Sequence, residues 1–203
     1  PSLILPMRFF SAAEIDGLLT FPALVDAQGA AFRGDIVTPV RHHHEVARPD
    51  ATGTLLLMPA WTGPEISPAY LGTKVATVYP GNASKGLPSV MGTYLLMDGA
   101  TGKPLAALDG TRLTLWRTAA ASALASRMLE RPDSKRMLMV GAGALSPFLV
   151  KAHRSVRNFE DVAIWARRPE AAAEVVAELA ADGIAARVAE DIEAEARQAD
   201  LIS

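Results

Sequence analysis

The segment Lys135 to Ser146, read K-R-M-L-M-V-G-A-G-A-L-S, constrains this chain more than any other. An apolar run, Met137-Leu138-Met139-Val140, leads straight into Gly141-Ala142-Gly143, and a helix-compatible stretch follows from Leu145. Strand, glycine-rich turn and helix in that order form the front half of a βαβ unit. A second apolar run, Asp161-Val162-Ala163-Ile164-Trp165, arrives about 20 residues later, as the crossover requires. In such a unit the first glycine permits a tight turn and the second lets backbone N–H groups approach a pyrophosphate. The helix N-terminus then adds partial positive charge. The third glycine of the usual fingerprint is replaced by Ser146. The segment predicts a dinucleotide-binding unit, with residues 141 to 145 at its phosphate turn.

The residues after the second run set the expected cofactor. A carboxylate there holds the ribose 2′-hydroxyl of NAD. This chain has Ala166-Arg167-Arg168-Pro169 instead. A carboxylate repels a 2′-phosphate, whereas a guanidinium pairs with it through two parallel hydrogen bonds. Arg167 and Arg168 therefore predict NADP(H) in preference to NAD(H). Two solvated loop arginines are the competing reading.

Composition narrows the function class. The 203 residues are half hydrophobic and 21% charged, with a net charge of −2. That balance offers no basic face for nucleic acid. There is no cysteine, which excludes disulfides, thiol nucleophiles and cysteine–zinc sites. No apolar run reaches the ~18 residues of a membrane helix, and no signal segment opens the sequence. A soluble, cytoplasmic protein is expected. The ending Ala199-Asp200-Leu201-Ile202-Ser203 reads as the start of another buried strand, so the dinucleotide unit is expected to be incomplete at its C-terminus.

Ser11-Ala12-Ala13-Glu14 has the form of a capping box opening a short helix through Leu19, and a second helix is predicted from Pro22 to Phe32. Strands are predicted over 37–46, 54–61, 70–79, 91–98 and 105–108, punctuated by Gly and Pro turns. Consecutive strands without helices imply a largely antiparallel sheet. A long Ala- and Leu-rich helix, 112–130, starts near Asp109 or Thr111 and ends at Pro132. Strand and helix then alternate through 136–141, 145–157, 161–166, 169–182, 185–189, 191–198 and 200 onward. The expected fold class is α/β: an α+β substrate-binding and dimerisation domain over 1–121, followed by a Rossmann-type domain over 122–203.

Three cations in the first part stand among apolar neighbours: Arg41, Lys74 in Leu71-Gly72-Thr73-Lys74-Val75-Ala76, and Arg117 in Leu115-Trp116-Arg117-Thr118. Lys and Arg are rarely buried unpaired, so an interior cation suggests an anionic ligand, and three converging cations would clamp a carboxylate. Structural salt bridges explain them equally well. His42-His43-His44 splits between two faces of a strand and has no acidic companions, so no metal site is expected. Met58, Met91, Met97, Met137 and Met139 read as core filler. Trp61 and Trp116 could line a pocket or pack a core.

Taken in order, Leu57-Met58-Pro59-Ala60, Gly72-Thr73-Lys74-Val75, Pro88-Ser89-Val90-Met91, Leu108-Asp109-Gly110, Arg117-Thr118-Ala119-Ala120-Ala121-Ser122 and Gly141-Ala142-Gly143-Ala144 resemble the ornithine cyclodeaminase/mu-crystallin family over nearly the whole chain. The resemblance implies an N-terminal domain that dimerises through its sheet, a Rossmann domain for the nicotinamide cofactor, and a small amino or imino acid substrate. It implies substrate-carboxylate and catalytic roles for Arg41, Lys74 and Arg117, with Lys74 as the catalytic residue. It assigns Thr118, Gly141, Ala142, Gly143, Ala144 and Leu145 to the cofactor, although members usually carry Gln where this chain has Leu145. The family's catalytic aspartate lies in a later segment.

One departure points to a branch. Ornithine cyclodeaminases place a Glu two residues before the Met of Met-Pro, and here that position is Leu56. An aliphatic side chain neither relays a proton nor accepts a hydrogen bond from an ammonium. With Arg167 and Arg168, this resembles the mu-crystallin and pyrroline-carboxylate reductase branch, implying NADPH-dependent reduction of a cyclic imino acid such as Δ1-pyrroline-2-carboxylate or Δ1-piperideine-2-carboxylate. The alternatives are ornithine cyclodeamination, oxidation of a small L-amino acid, and binding without turnover.

Overall fold

The computed structural model describes residues 7–49 and 51–203. They fall into two compact units, one holding residues 7–19 and 30–114 and the other 20–29 and 115–203.

The first unit begins with strand β1 (Arg8–Phe10) and helix α1 (Ala12–Leu18). Ser11 caps α1 as its sequence predicts: Ser11 Oγ accepts from the Glu14 N–H, and Glu14 accepts from the Ser11 N–H at 2.9 Å. Helix α2 (Phe21–Arg33) follows. The strand predicted over 37–46 is two strands, β2 (Ile36–Val37) and β3 (His42–Arg48). Pro39 lies between them and has no N–H for a sheet ladder. Next come β4 (Ala51–Thr62), β5 (Tyr70–Val78), a 3-10 turn (Pro80–Lys85), β6 (Val90–Asp98) and β7 (Pro104–Asp109). The sheet runs β1-β7-β6-β5-β4-β2, with β3 also pairing β4. Pairings from β4 through β7 are antiparallel, as the consecutive strands predict, while β1 joins β7 in parallel.

Helix α3 (Gly110–Leu129) opens in the first unit and continues into the second. Of the two proposed caps, Asp109 performs the role: its Oδ1 accepts from the Arg112 N–H at 2.7 Å. The second unit adds β8 (Arg136–Val140), α4 (Ser146–Arg154), β9 (Asp161–Trp165), α5 (Pro169–Ala181), β10 (Arg187–Val188), α6 (Ile192–Gln198) and β11 (Leu201–Ile202). All four strands are parallel in the order β10-β9-β8-β11. Numbered within the unit this is 3-2-1-4, the strand order of a Rossmann half.

Both faces of this sheet are covered, which is why its strands read as continuous apolar runs. Alternation sends Met137 and Met139 to one side, with Val150, Ala172, Val175 and Leu179, and sends Leu138 to the other with Ala163 and Ala189. A third cluster joins Phe21 and Val25 of α2 to Ala119, Ala120, Ala123 and Leu124 of α3 and to Phe148 of α4. The alanines let the helices approach closely. Trp116 belongs there too, its ring 4.3 Å from that of Phe21 and edge-on to Phe148 at 5.8 Å, so it is packing rather than pocket wall. Met137 and Met139 are core, whereas Met91 is exposed.

Candidate functional site

The glycine turn leaves β8 with Gly141 at φ +121°, a conformation that favours glycine. Nothing lies within 4 Å of where a Cβ would stand on Gly141 or Gly143. Backbone conformation, not crowding, therefore demands Gly141, and the space beside both glycines is open to a ligand. Ser146, which replaces the third glycine, braces the turn from within. Its buried Oγ donates to the Gly141 carbonyl at 3.0 Å and accepts from the Gly143 N–H at 3.1 Å. Sequence reading recorded Ser146 only as a missing glycine. The signal was a hydroxyl three residues beyond Gly143, within reach of the turn's own backbone.

Leu145 occupies the position before α4, with no side-chain cap, and packs against the Phe21–Phe148 cluster. No side chain caps α4: the Ser146 N–H donates to the Gly143 carbonyl at 2.9 Å, and Pro147 carries no N–H. Beside the turn opens a cavity of about 650 Å³, lined by Val140, Gly141, Ala142, Trp165, Ala166, Arg167, Arg168 and Ala171. Arg167 and Arg168 are exposed and stand where β9 passes into α5. A phosphate-sized turn of glycines, an adjoining cavity and two cations at the end of β9 fit a dinucleotide. Thr118 is half-buried on α3 in the same unit.

In the first unit, the sheet register places Lys74. Met58 of β4 pairs with Lys74 of β5, which pairs with Tyr94 of β6, which pairs with Leu108 of β7. Met58, Lys74, Tyr94 and Leu108 thus form one row. His42 pairs with Leu57 at the start of β3, and Arg41 precedes that ladder. Lys74 is half-buried and donates from Nζ to Thr114 Oγ1 at 2.9 Å. Burial raises the phenol pKa of Tyr94 above its ordinary value, keeping it neutral. Its hydroxyl end lies across Gly72, where a Cβ would stand 1.8 Å from the oxygen. Leu56, two residues before Met58 and on the same face, pairs with Ala76.

The burial argument that singled out three cations holds for Lys74 alone. Arg41 is exposed, as is nearly all of β3 after it, and Arg117 is exposed on α3 in the other unit. Sequence reading also missed Thr114 and Tyr94, which carry no motif; only the strand register and the helix start bring them to Lys74. His42 and His44 share a face, rings 6.4 Å apart, with His43 on the other. Among the described residues no group of three His, Cys, Asp or Glu side chains gathers as a metal site. No helix in them is long and apolar enough to cross a membrane.

The second unit's strand order and glycine turn define a Rossmann-type fold. The chain belongs to the ornithine cyclodeaminase/mu-crystallin family, whose sequence pattern matches residues 7–203. It is 43% identical to Protein SAR DEFICIENT 4 of Arabidopsis thaliana over 148 residues, 72% of this chain and 44% of that protein. It is 36% identical to the Δ1-pyrroline-2-carboxylate reductase of Paracoccus denitrificans, over 97% of this chain and 60% of the reductase. A solved Δ1-pyrroline-2-carboxylate reductase from Thermococcus litoralis, in complex with NADH and L-proline, superposes with a TM-score of 0.85 at 31% identity. That match covers 97% of this chain and 61% of the archaeal one. The chain thus spans roughly half of the length of these relatives.

Proposed function

We propose that this protein reduces a cyclic imino acid, Δ1-pyrroline-2-carboxylate or Δ1-piperideine-2-carboxylate, to the L-amino acid with NADPH. The observation that carries the reading is Lys74: a half-buried cation in a sheet row with Met58 and Tyr94, on a face where an aliphatic Leu56 stands two residues from Met58. That face offers a cation for an anionic, proton-accepting substrate and no carboxylate at position 56 to process a free amine. The reductase names of two relatives agree with it.

In this reading Arg41 and Arg117 hold the substrate carboxylate by charge-assisted hydrogen bonds. Lys74 Nζ keeps a proton on the imine nitrogen, which makes the adjacent carbon electron-poor. Gly141 to Leu145 receive the pyrophosphate, Thr118 contacts the cofactor, and Arg167 and Arg168 bind a 2′-phosphate. A bound reduced nicotinamide supplies the hydride. Lys74 would keep that proton on the nitrogen as the carbon is reduced. The protein contributes orientation and charge. The same reading includes a homodimer.

Preference for NADPH rests on the two arginines, since the archaeal relative is described with NADH. Its test is fluorescence titration with both cofactors, on the natural chain and on Arg167→Ala with Arg168→Ala. NADPH is expected to bind at least about tenfold more tightly, with the difference erased in the double variant. Equal affinities in the natural protein refute the preference. Oxidation of NADPH on adding the cyclic imines tests the reaction itself. Proline and ammonia formed from ornithine without net cofactor turnover would overturn it.

A further inference from the structure

We propose that Thr114 is a positioning residue that aims the Lys74 ammonium; this rests on the role given to Lys74 above. A threonine hydroxyl has one proton and two lone pairs. Thr114 Oγ1 gives its proton to the Gly110 carbonyl at 2.6 Å, four residues back on α3. The oxygen therefore faces Lys74 as an acceptor only, and Lys74 Nζ donates to it at 2.9 Å. The contact joins residues 40 apart in sequence, one on a strand and one on the opening turns of a helix.

The platform that carries Thr114 is fixed to the same sheet. Asp109 caps α3, and Thr111 Oγ1 accepts from the Gly92 N–H at 3.2 Å. Gly110 lies so close to β6 that a Cβ on it would stand 2.8 Å from the Gly92 carbonyl carbon. Gly92 pairs with Ala76, two residues from Lys74 on the same strand. The acceptor and the lysine are thus attached to one piece of sheet. A flexible four-carbon stem is held at its far end, which cuts the orientations the ammonium samples.

The competing account is local. Threonine hydroxyls often bond the carbonyl four residues back, and that bond alone slightly disfavours the helix. Under that account Thr114→Val and Thr114→Ala leave turnover intact. The experiment measures imine-dependent NADPH oxidation and melting temperature for the full natural chain, Thr114→Val, Thr114→Ala, Thr114→Ser and Lys74→Met. Loss of the acceptor is expected to lower kcat about tenfold in Val and Ala, with KM for the imino acid changing less than about threefold. Thr114→Ser, which keeps the oxygen, is expected to restore kcat to within about threefold. Alanine is the best helix former, so it reports on the missing oxygen should the branched variant fold poorly. Wild-type kcat in either variant, or a serine variant as slow as alanine, overturns the positioning role. Unchanged turnover in Lys74→Met overturns the role of Lys74 instead, and so separates the two failures.

Discussion

Replacing Ser146 by alanine removes one oxygen from a buried position and should disturb both the stability of the glycine turn and its grip on phosphate. The side chain is 3% exposed and makes two hydrogen bonds, to the Gly141 carbonyl and from the Gly143 N–H. Each such bond contributes about 0.5–1.5 kcal/mol net. Gly143 is exposed and Gly141 half-buried, so water replaces part of what is lost. The expected loss is therefore about 1 kcal/mol in urea unfolding. Without the brace, the turn must be ordered when the cofactor arrives, and NADPH affinity should fall about three- to tenfold. Glycine at 146 restores the usual fingerprint but also costs about 1 kcal/mol in a helix. Ser146→Gly is therefore expected to be the weaker of the two variants in both assays. Urea midpoints and NADPH titrations for serine, alanine and glycine proteins decide it. If glycine matches serine, close helix–strand packing governs this position and the bracing argument fails.

Two further outcomes concern pH. His153 is 1% exposed and hydrogen-bonds Ser122 at 3.1 Å; burial lowers its pKa to about 4. Its folded pKa lies below its unfolded value of about 6.5, so stability present above that value is lost as pH falls toward 4, by up to about 3 kcal/mol. His153→Asn should flatten urea midpoints between those limits, and an unchanged slope would exclude the histidine as the source. Arg187 bonds both Asp161 and Glu195, at 2.8 and 2.5 Å, and these bonds hold both carboxyls below their ordinary pKa values. Their contribution is present above about pH 4.3 and disappears on further acidification. Arg187→Met should make acid unfolding of the second unit shallower in that window. The pairs are partly exposed, so the effect at neutral pH should stay within about 1 kcal/mol, and a larger loss there would point to packing instead.

What the sequence disclosed followed how local each feature is. The strand–turn–helix of 136–154 and the capping box at Ser11 depend on residues a few positions apart, and both were legible. The long helix was legible for the same reason, whereas the choice of Asp109 over Thr111 as its cap came only with the Arg112 N–H contact. The division of 36–48 into β2 and β3 was not, because it depends on which part of the long β4 each piece pairs with. Strand β1 escaped notice because three residues at a sheet edge carry no periodicity. For the site, the arginines after β9 line the cavity beside the glycine turn, their part in binding resting on the proposal above. The need for glycine at 141 was legible as motif. Thr114 and Tyr94 were not, since only strand register and the start of α3 bring them to Lys74. Burial was misjudged at Arg41 and Arg117, where apolar neighbours in sequence do not enclose the side chain.

Helix α2 shows what kind of object the second unit is. Residues 20–29 belong to it, although strands β2 to β7 of the first unit lie between them and residue 115 in the sequence. Phe21 and Val25 fill the cluster against Ala119, Ala120, Ala123 and Phe148. A gene fragment starting at the long helix would encode the glycine turn but not these two side chains, leaving an apolar face of alanines uncovered. The dinucleotide fold here is not a cassette that recombination can lift out at one boundary. A gene segment that is to encode the complete second unit must therefore carry residues 20–29 together with residue 115 onward.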